Sequence, residues 1–317
     1  MNWISRWKKI GIKVKQIFKK QPTGHEETDW KNCSQCGKIS YLPDLIANSY
    51  ICECSFHFDL PPKMRLDNLF DSNYEIIEPP ENIDPDPLNF EVKERYNYID
   101  KIKKYREVTG QKTALICASG NISNLSATVV CFNPRFGGGR FGPAENEHFL
   151  KAANFAVERN SDIWIVIYQS SGIDVHTGVT GLTGMTKSII AMNQIKKARI
   201  PTFAVAARAV AGGTYASSFF MHDFIIVESK CVENLLFSGK RVTANILKGT
   251  DQIPNDFGTG PGVMKSGLAD ITLESRKELK DTVSKLAKII LKKEVQKTTE
   301  EAHENPEDFK KITSTAS

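Results

Sequence analysis

No apolar run among these 317 residues reaches the roughly 18–20 residues that a helix needs to cross a bilayer. No membrane span is expected. The N-terminus also lacks the continuous apolar core of a secretory leader, because Trp3, Ile4, Trp7, Ile10, Ile12 and Val14 are interspersed with lysines. A cytoplasmic protein is therefore expected. No Ser-His-Asp or paired-carboxylate pattern stands out, so no side chain is marked as a nucleophile or an acid–base pair. No segment repeats at a solenoid period. Strong net charge is absent as well: the balance is +5, with 25% charged and 40% hydrophobic residues, as in an ordinary globular protein.

The modest charge is unevenly placed. Residues 1–20 carry seven Lys/Arg and no acid. That run reads as an amphipathic basic helix. Its partner could be another subunit, nucleic acid or anionic lipid.

The chain has seven cysteines, an odd number, and four of them cluster. In a reducing compartment such a cluster points to metal rather than disulfides. Cys33-Ser34-Gln35-Cys36 is a C-x2-C knuckle, and after fifteen intervening residues comes Cys52-Glu53-Cys54. Four thiolates from two hairpin tips make the closed tetrahedral shell of a structural zinc ribbon. So small a unit draws much of its folding energy from the metal. The second pair is one residue short: Ser55 stands where the usual spacing puts the last cysteine, and His57 is near enough to replace Cys54. Four cysteines, three cysteines with His57, and a metal-free ribbon all remain open. Cys117, Cys131 and Cys231 lie in or beside apolar runs and read as small buried residues.

Along the chain the expected organisation is a basic helix at 1–28, the ribbon at 29–60, a connecting segment at 61–95, a main domain at 96–293 and a polar tail at 294–317. Within the connection, 61–75 suits a helix, while Pro79, Pro80, Pro85 and Pro87 mark an extended stretch. Tyr96–Thr109 suits a helix closed by Gly110. Thr113–Ala118, Ser126–Phe132, Ile163–Tyr168, Thr202–Ala206 and Phe224–Glu228 read as strands. Helical patterns at 145–159, 180–198 and 214–221 separate them, and a Lys-rich helix is expected at about 274–293. Such alternation implies β–α crossover units around a largely buried α/β sheet.

Three glycine stations punctuate the main domain: Phe136–Gly142, Ser170-Ser171-Gly172, and Ala211–Ser217 with its Gly212-Gly213 pair. Glycine at a strand-to-helix turn lets backbone approach a ligand and leaves N–H groups free for a phosphate or an enolate oxygen. None is read as a Walker A loop or a dinucleotide fingerprint. Ligands of open α/β sheets sit at the carboxyl ends of strands, where all three stations fall. Arg140, Asp174 and His176 are candidate catalytic side chains. His148 and His222 are expected at helix surfaces or in local hydrogen bonds.

These pieces in this order resemble the β subunit of bacterial acetyl-CoA carboxylase carboxyltransferase. The resemblance rests on Met1-Asn2-Trp3-Ile4, the cysteine ribbon, Tyr96–Leu115, Phe136–Gly142, Gly212-Gly213 before Ser217, and Lys265–Asp270, and it runs to about residue 293. It implies a crotonase-like ββα superhelix and an α2β2 complex with a carboxyltransferase α subunit. It also implies a biotin carboxyl carrier protein and a biotin carboxylase as partners. The implied reaction moves carboxyl from carboxybiotin to acetyl-CoA, giving malonyl-CoA for fatty acid biosynthesis, with zinc purely structural. On that reading the Ser171 and Gly172 amides are the oxyanion donors, and Gly138, Gly139, Gly212 and Gly213 line the substrate. Cys33, Cys36, Cys52 and Cys54 hold the zinc.

The chain departs from the family at Ser170-Ser171-Gly172-Ile173-Asp174, where the usual run is Ser-Gly-Gly-Ala-Arg. Gly239-Lys240-Arg241 replaces Gly-Pro-Arg, and Ala211-Gly212-Gly213 replaces Met-Gly-Gly. Two other readings stand beside the housekeeping one. The first is a paralogue from a secondary-metabolite or inhibitor-resistance setting. The second is a non-catalytic ribbon protein that binds nucleic acid through its basic N-terminus.

Overall fold

The computed structural model describes residues 29–92, 95–232, 234–247 and 253–292. The expected basic helix at 1–28 and the polar tail at 294–317 lie outside them. The chain divides into two compact units, Met1–Pro61 and Pro62–Ser317.

In the first unit, β1 (Trp30–Asn32) and β2 (Ile39–Tyr41) form an antiparallel hairpin that leads into α1 (Leu42–Ala47). Gly37, at φ +72°, turns the chain between the strands, and its N–H donates to Cys33 O at 2.9 Å. The second tip closes differently. The Cys52 N–H donates to Phe56 O at 2.8 Å, the Ser55 N–H returns to Cys52 O at 2.8 Å, and Ser55 takes φ +66°. A left-handed non-glycine residue reverses the chain one residue early. That is how this knuckle closes with only Glu53 between its cysteines.

The second unit begins with α2 (Pro62–Leu69), β3 (Glu75–Ile77), the short β4 (Glu91–Val92) and β5 (Tyr96–Asn97), and α3 (Tyr98–Thr109). Gly110 closes α3 at φ +67°, donating to Arg106 O at 2.8 Å. Then follow β6 (Leu115–Ile122), β7 (Leu125–Phe132), β8 (Arg140–Phe141), α4 (Pro143–Glu158), β9 (Ile163–Ser170), β10 (Gly172–Ile173) and α5 (Gly178–Lys197). The chain continues through β11 (Thr202–Ala211), α6 (Gly212–Ala216), β12 (Phe224–Glu228), β13 (Leu235–Leu236), α7 (Lys240–Ile246), α8 (Gly260–Lys265), β14 (Ile271–Leu273) and α9 (Leu279–Leu291).

The main sheet runs β14-β12-β11-β9-β7-β6-β3, with β13 added beside the end of β11. The strands from β7 to β14 pair in parallel, whereas β6 and β3 pair antiparallel. All eight residues of β9 are buried, as a parallel strand covered on both faces requires. Its alternation separates two cores. Trp164, Val166 and Tyr168 join Phe149, Ala153 and Met192 on the face covered by α4 and α5. Ile163, Ile165 and Ile167 join Leu66, Leu69, Val283 and Ala287 on the face covered by α2 and α9.

The expected connecting segment is therefore partly structural: Leu66, Leu69 and Ile77 supply core, and β3 forms a sheet edge. The helix expected at 214–221 breaks into α6 and a 3-10 turn at Phe219–Met221. The two-residue strands β8, β10 and β13 escaped the pattern because two residues show no period.

Candidate active site and cysteine centre

The ribbon brings four sulfurs together. Cys33 Sγ lies 3.7 Å from Cys54 Sγ, Cys36 Sγ lies 3.8 Å from Cys52 Sγ, and all four fall within 4.8 Å of one another. A tetrahedral thiolate site with bonds of roughly 2.3 Å needs sulfurs about 3.8 Å apart. The geometry fits such a site with Cys54 as a member. His57 is buried and is not part of this group. Desolvation opposes ionisation of Cys33, but the backbone N–H groups of Cys36 and Gln35 outweigh it and lower the thiol to about 7. The other cysteines are of a different kind. Cys117 and Cys131 are fully buried, and Cys231 accepts from Arg276 Nη2 at 3.1 Å. Burial raises all three thiols, Cys131 and Cys231 to about 12.

The three glycine stations meet at the carboxyl ends of β7, β9 and β11. Gly137, Gly138 and Gly139 all have left-handed φ, and a Cβ on Gly139 would stand 1.9 Å from Gln169 O. β8 pairs in parallel with β10, aligning Arg140 with Gly172, and so joins the first station to the second. Gly172, at φ +108°, passes so close to the third that a Cβ would sit 2.8 Å from Ala211 O. A Cβ on Gly213 would lie 2.1 Å from Ile173 Cγ1.

The amides do not all serve a ligand. The Ser171 N–H donates to Gly138 O at 2.9 Å, and the Gly172 N–H donates to Ser170 Oγ at 3.1 Å. The Gly138, Gly139 and Gly212 N–H groups go to Pro134 O (3.0 Å), Phe136 O (3.1 Å) and Phe237 O (3.1 Å). Gly137-x-Gly139-x-x-Gly142 has the spacing of a dinucleotide loop, yet two of its N–H groups are spent inside the turn. The Gly213 N–H, in the first turn of α6, has no protein acceptor among the described residues. Two residues further on, Tyr215 lines a cavity of ≈ 590 Å³ together with Leu236, Phe237, Ser238, Val263 and Leu268, among others.

Arg140, Asp174 and His176 come together in one cluster. Arg140 Nη1 donates to Asp174 Oδ2 and to the Tyr98 hydroxyl, and that hydroxyl donates to Asp174 Oδ2. Glu145 lies 3.6 Å from Arg140 Nη2, and its carboxylate also accepts from Ala114 N (2.9 Å) and Gly142 N (3.0 Å). His176 Nδ1 donates to Asp174 Oδ1 at 2.9 Å, while its ring stacks on Tyr98 at 4.0 Å and 8°. Burial pushes the Tyr98 phenol above its ordinary range, and Asp174 adds to that, so it stays a neutral donor. Tyr98 and Glu145 were not among the residues singled out from sequence. Glu145 carries a signal, standing three residues after Gly142 in the capping-box position behind Pro143.

His148 and His222 are buried rather than on helix surfaces. His148 bonds Ile77 O (2.7 Å) and Thr113 Oγ1 (3.0 Å), and His222 bonds Phe219 O (3.1 Å). Burial lowers both, His222 to about 4.

The profile of the carboxyl transferase domain matches residues 94–315. Among solved structures, a Pseudomonas malonate decarboxylase hetero-tetramer aligns at TM-score 0.56 with 17% identity, over 81% of this chain and 92% of that one. A transcarboxylase 12S structure aligns at TM-score 0.57 with 19% identity over 72% of this chain, which spans only 41% of the transcarboxylase chain. The fold is thus the crotonase-like α/β fold of the carboxyl transferase domain.

Full-length relatives narrow the class. The acetyl-coenzyme A carboxylase carboxyl transferase subunit beta of Pelagibacter ubique (strain HTCC1062) is 32% identical over 100% of both chains. The protein of that name from Sulfurihydrogenibium sp. (strain YO3AOP1) is 32% identical over 86% of this chain and 94% of its own. The chain belongs to the acetyl-CoA carboxylase carboxyltransferase β-subunit family. Among the described residues, no helix is long and apolar enough to cross a membrane.

Proposed function

We propose that the chain is the β subunit of a cytoplasmic acetyl-CoA carboxylase carboxyltransferase, assembled with an α subunit as α2β2. It would work with a biotin carboxyl carrier protein and a biotin carboxylase. The reaction is carboxyl transfer to the methyl carbon of acetyl-CoA, giving malonyl-CoA for fatty acid biosynthesis. The observation that carries the reading is the Gly213 N–H, without a protein acceptor among the described residues, at the meeting point of three glycine stations and two residues before Tyr215, which lines the cavity.

Carboxybiotin, delivered by the carrier protein, supplies the carboxyl group. The chain's own part is electrostatic. When the thioester's methyl carbon loses its proton, negative charge develops on the carbonyl oxygen, and the Gly213 amide stands ready to donate to it. A fixed donor in a water-poor cleft is worth more than the same bond in water. The Ser171 amide, engaged internally, holds the second station against the first, and the Gly172 amide closes on Ser170 within its own station. Gly138, Gly139 and Gly212 form the wall: all three take left-handed φ that side chains rarely adopt, and at Gly139 a Cβ would also collide with the Gln169 backbone. The ribbon holds structural zinc through Cys33, Cys36, Cys52 and Cys54 and takes no part in the transfer.

Purified protein mixed with a matching α subunit, carboxybiotin and acetyl-CoA should form malonyl-CoA. Absence of product while the α subunit still binds would overturn the proposal. Metal analysis should find about one zinc per chain, and less than about half would remove the ribbon assignment.

A further inference from the structure

We infer that Asp174 is a positioning residue for the carboxyl transfer, holding Ile173 and through it the Gly213 amide. The inference rests on the proposed role of that amide.

Asp174 directly follows the Gly172–Ile173 strand and is almost wholly buried. Both of its carboxylate oxygens are committed. Oδ2 takes Arg140 Nη1 and the Tyr98 hydroxyl, whereas Oδ1 takes the backbone N–H (3.1 Å) and Nδ1 (2.9 Å) of His176. Its backbone is fixed too, with its N–H on Phe141 O (3.2 Å) and its carbonyl receiving Thr177 Oγ1 (2.8 Å). The residue is therefore tied to β8, to α3 and to the turn that starts α5. Arg140 is itself held from the other side by Glu145, whose carboxylate reaches back to Gly142 N. The bonded chain thus runs from the start of α4 to the end of β10.

Ile173 sits between this anchor and Gly172. Its Cγ1 occupies the space a Gly213 side chain would need, so the Gly213 backbone rests on it directly. A shift of Ile173 is transmitted to Gly213 without an intervening side chain. An amide donor to a developing oxyanion acts only in correct alignment. The carboxylate at 174 is spent on Arg140, Tyr98 and His176, and acts on that alignment through Ile173. Asparagine would be a poor substitute, because its NH2 cannot accept from the donors that now converge on the carboxylate.

The test is steady-state kinetics of the α-reconstituted enzyme, forming malonyl-CoA from acetyl-CoA and carboxybiotin. Asp174→Asn should lower kcat by about 10- to 100-fold with KM for acetyl-CoA within about threefold, since the lost interaction matters only in the transition state. Tyr98→Phe removes one bond to the carboxylate, keeps the ring under His176, and should lower kcat by about three- to tenfold at constant KM. Should Asp174→Asn fail to fold, Tyr98→Phe carries the test. Unchanged kcat in the folded variants, with only Tm lowered, would make Asp174 a purely structural anchor and overturn the inference. If wild-type protein makes no malonyl-CoA, the underlying reaction assignment fails instead.

Discussion

The ribbon and the glycine stations solve opposite problems. The ribbon is organised by side chains: four sulfurs define it, and the backbone merely brings them within 4.8 Å of one another. The stations are organised by backbone, and what counts there is the side chain that is missing. Gly139 and Gly213 would each put a Cβ about 2 Å from an occupied position, Gln169 O and Ile173 Cγ1 respectively. Each region should fail in its own way.

The largest effect is expected at Gly139. A side chain there meets backbone rather than a movable tip, at a left-handed φ of +67°. Gly139→Val should therefore cost more than about 4 kcal/mol and yield little soluble protein, measured by expression and denaturant unfolding. The contrast is Gly239, which has open space around its Cβ position. Gly239→Ala should stay within about 0.5 kcal/mol of wild type. Equal losses at the two would break the backbone side of the comparison.

Next is Cys36→Ser. Removing one of four ligands should abolish tight zinc binding and expose residues 29–60 to proteolysis, because metal affinity is the folding energy of so small a unit. Zinc retained at wild-type stoichiometry would contradict it.

A third effect belongs to the α/β unit. His222 is buried, and its folded pKa of about 4 lies below the ordinary 6.5. The unfolded chain takes the proton first. Its contribution is therefore complete above pH 6.5 and is lost as pH falls towards 4, by roughly 3 kcal/mol in all. Denaturant unfolding across that window should show the slope, and His222→Gln should flatten it. An unchanged slope would mean that His222 is not the group responsible.

The smallest effect separates the two candidate fourth ligands. His57→Ala should leave zinc stoichiometry unchanged, since His57 is not in the sulfur cluster. Loss of zinc would restore it as a ligand in place of Cys54.

How far each region could be read from sequence follows the same division. Cys33-x2-Cys36 announced itself, because ligand chemistry resides in residue identity. The short second knuckle left His57 open, and only the left-handed turn at Ser55 shows how Cys54 reaches the cluster. The major strands were legible because their β-branched runs are fully buried, as in Ile163–Ser170. The stations were legible as places but not as chemistry. Ser171 and Gly172 looked like the free donors, yet their N–H groups bond Gly138 O and Ser170 Oγ, whereas Gly213 keeps its own. Gly172 spends its amide two residues back, but Ser171 spends its own on Gly138, a partner far along the chain. The same holds for Asp174, which reads as a charge reversal against the family pattern. Its neutralising partner Arg140 lies 34 residues away, and Tyr98 lies 76 away.

The central claim, that a backbone amide at Gly213 carries the transfer, can be tested by removing that N–H alone. An amide-to-ester exchange at residue 213 deletes the N–H without adding a side chain, so Ile173 keeps its place against the backbone. With the α subunit present, kcat for malonyl-CoA formation should be at least about 100-fold lower in the ester protein than in the native amide protein. Equal rates in the two would contradict the account.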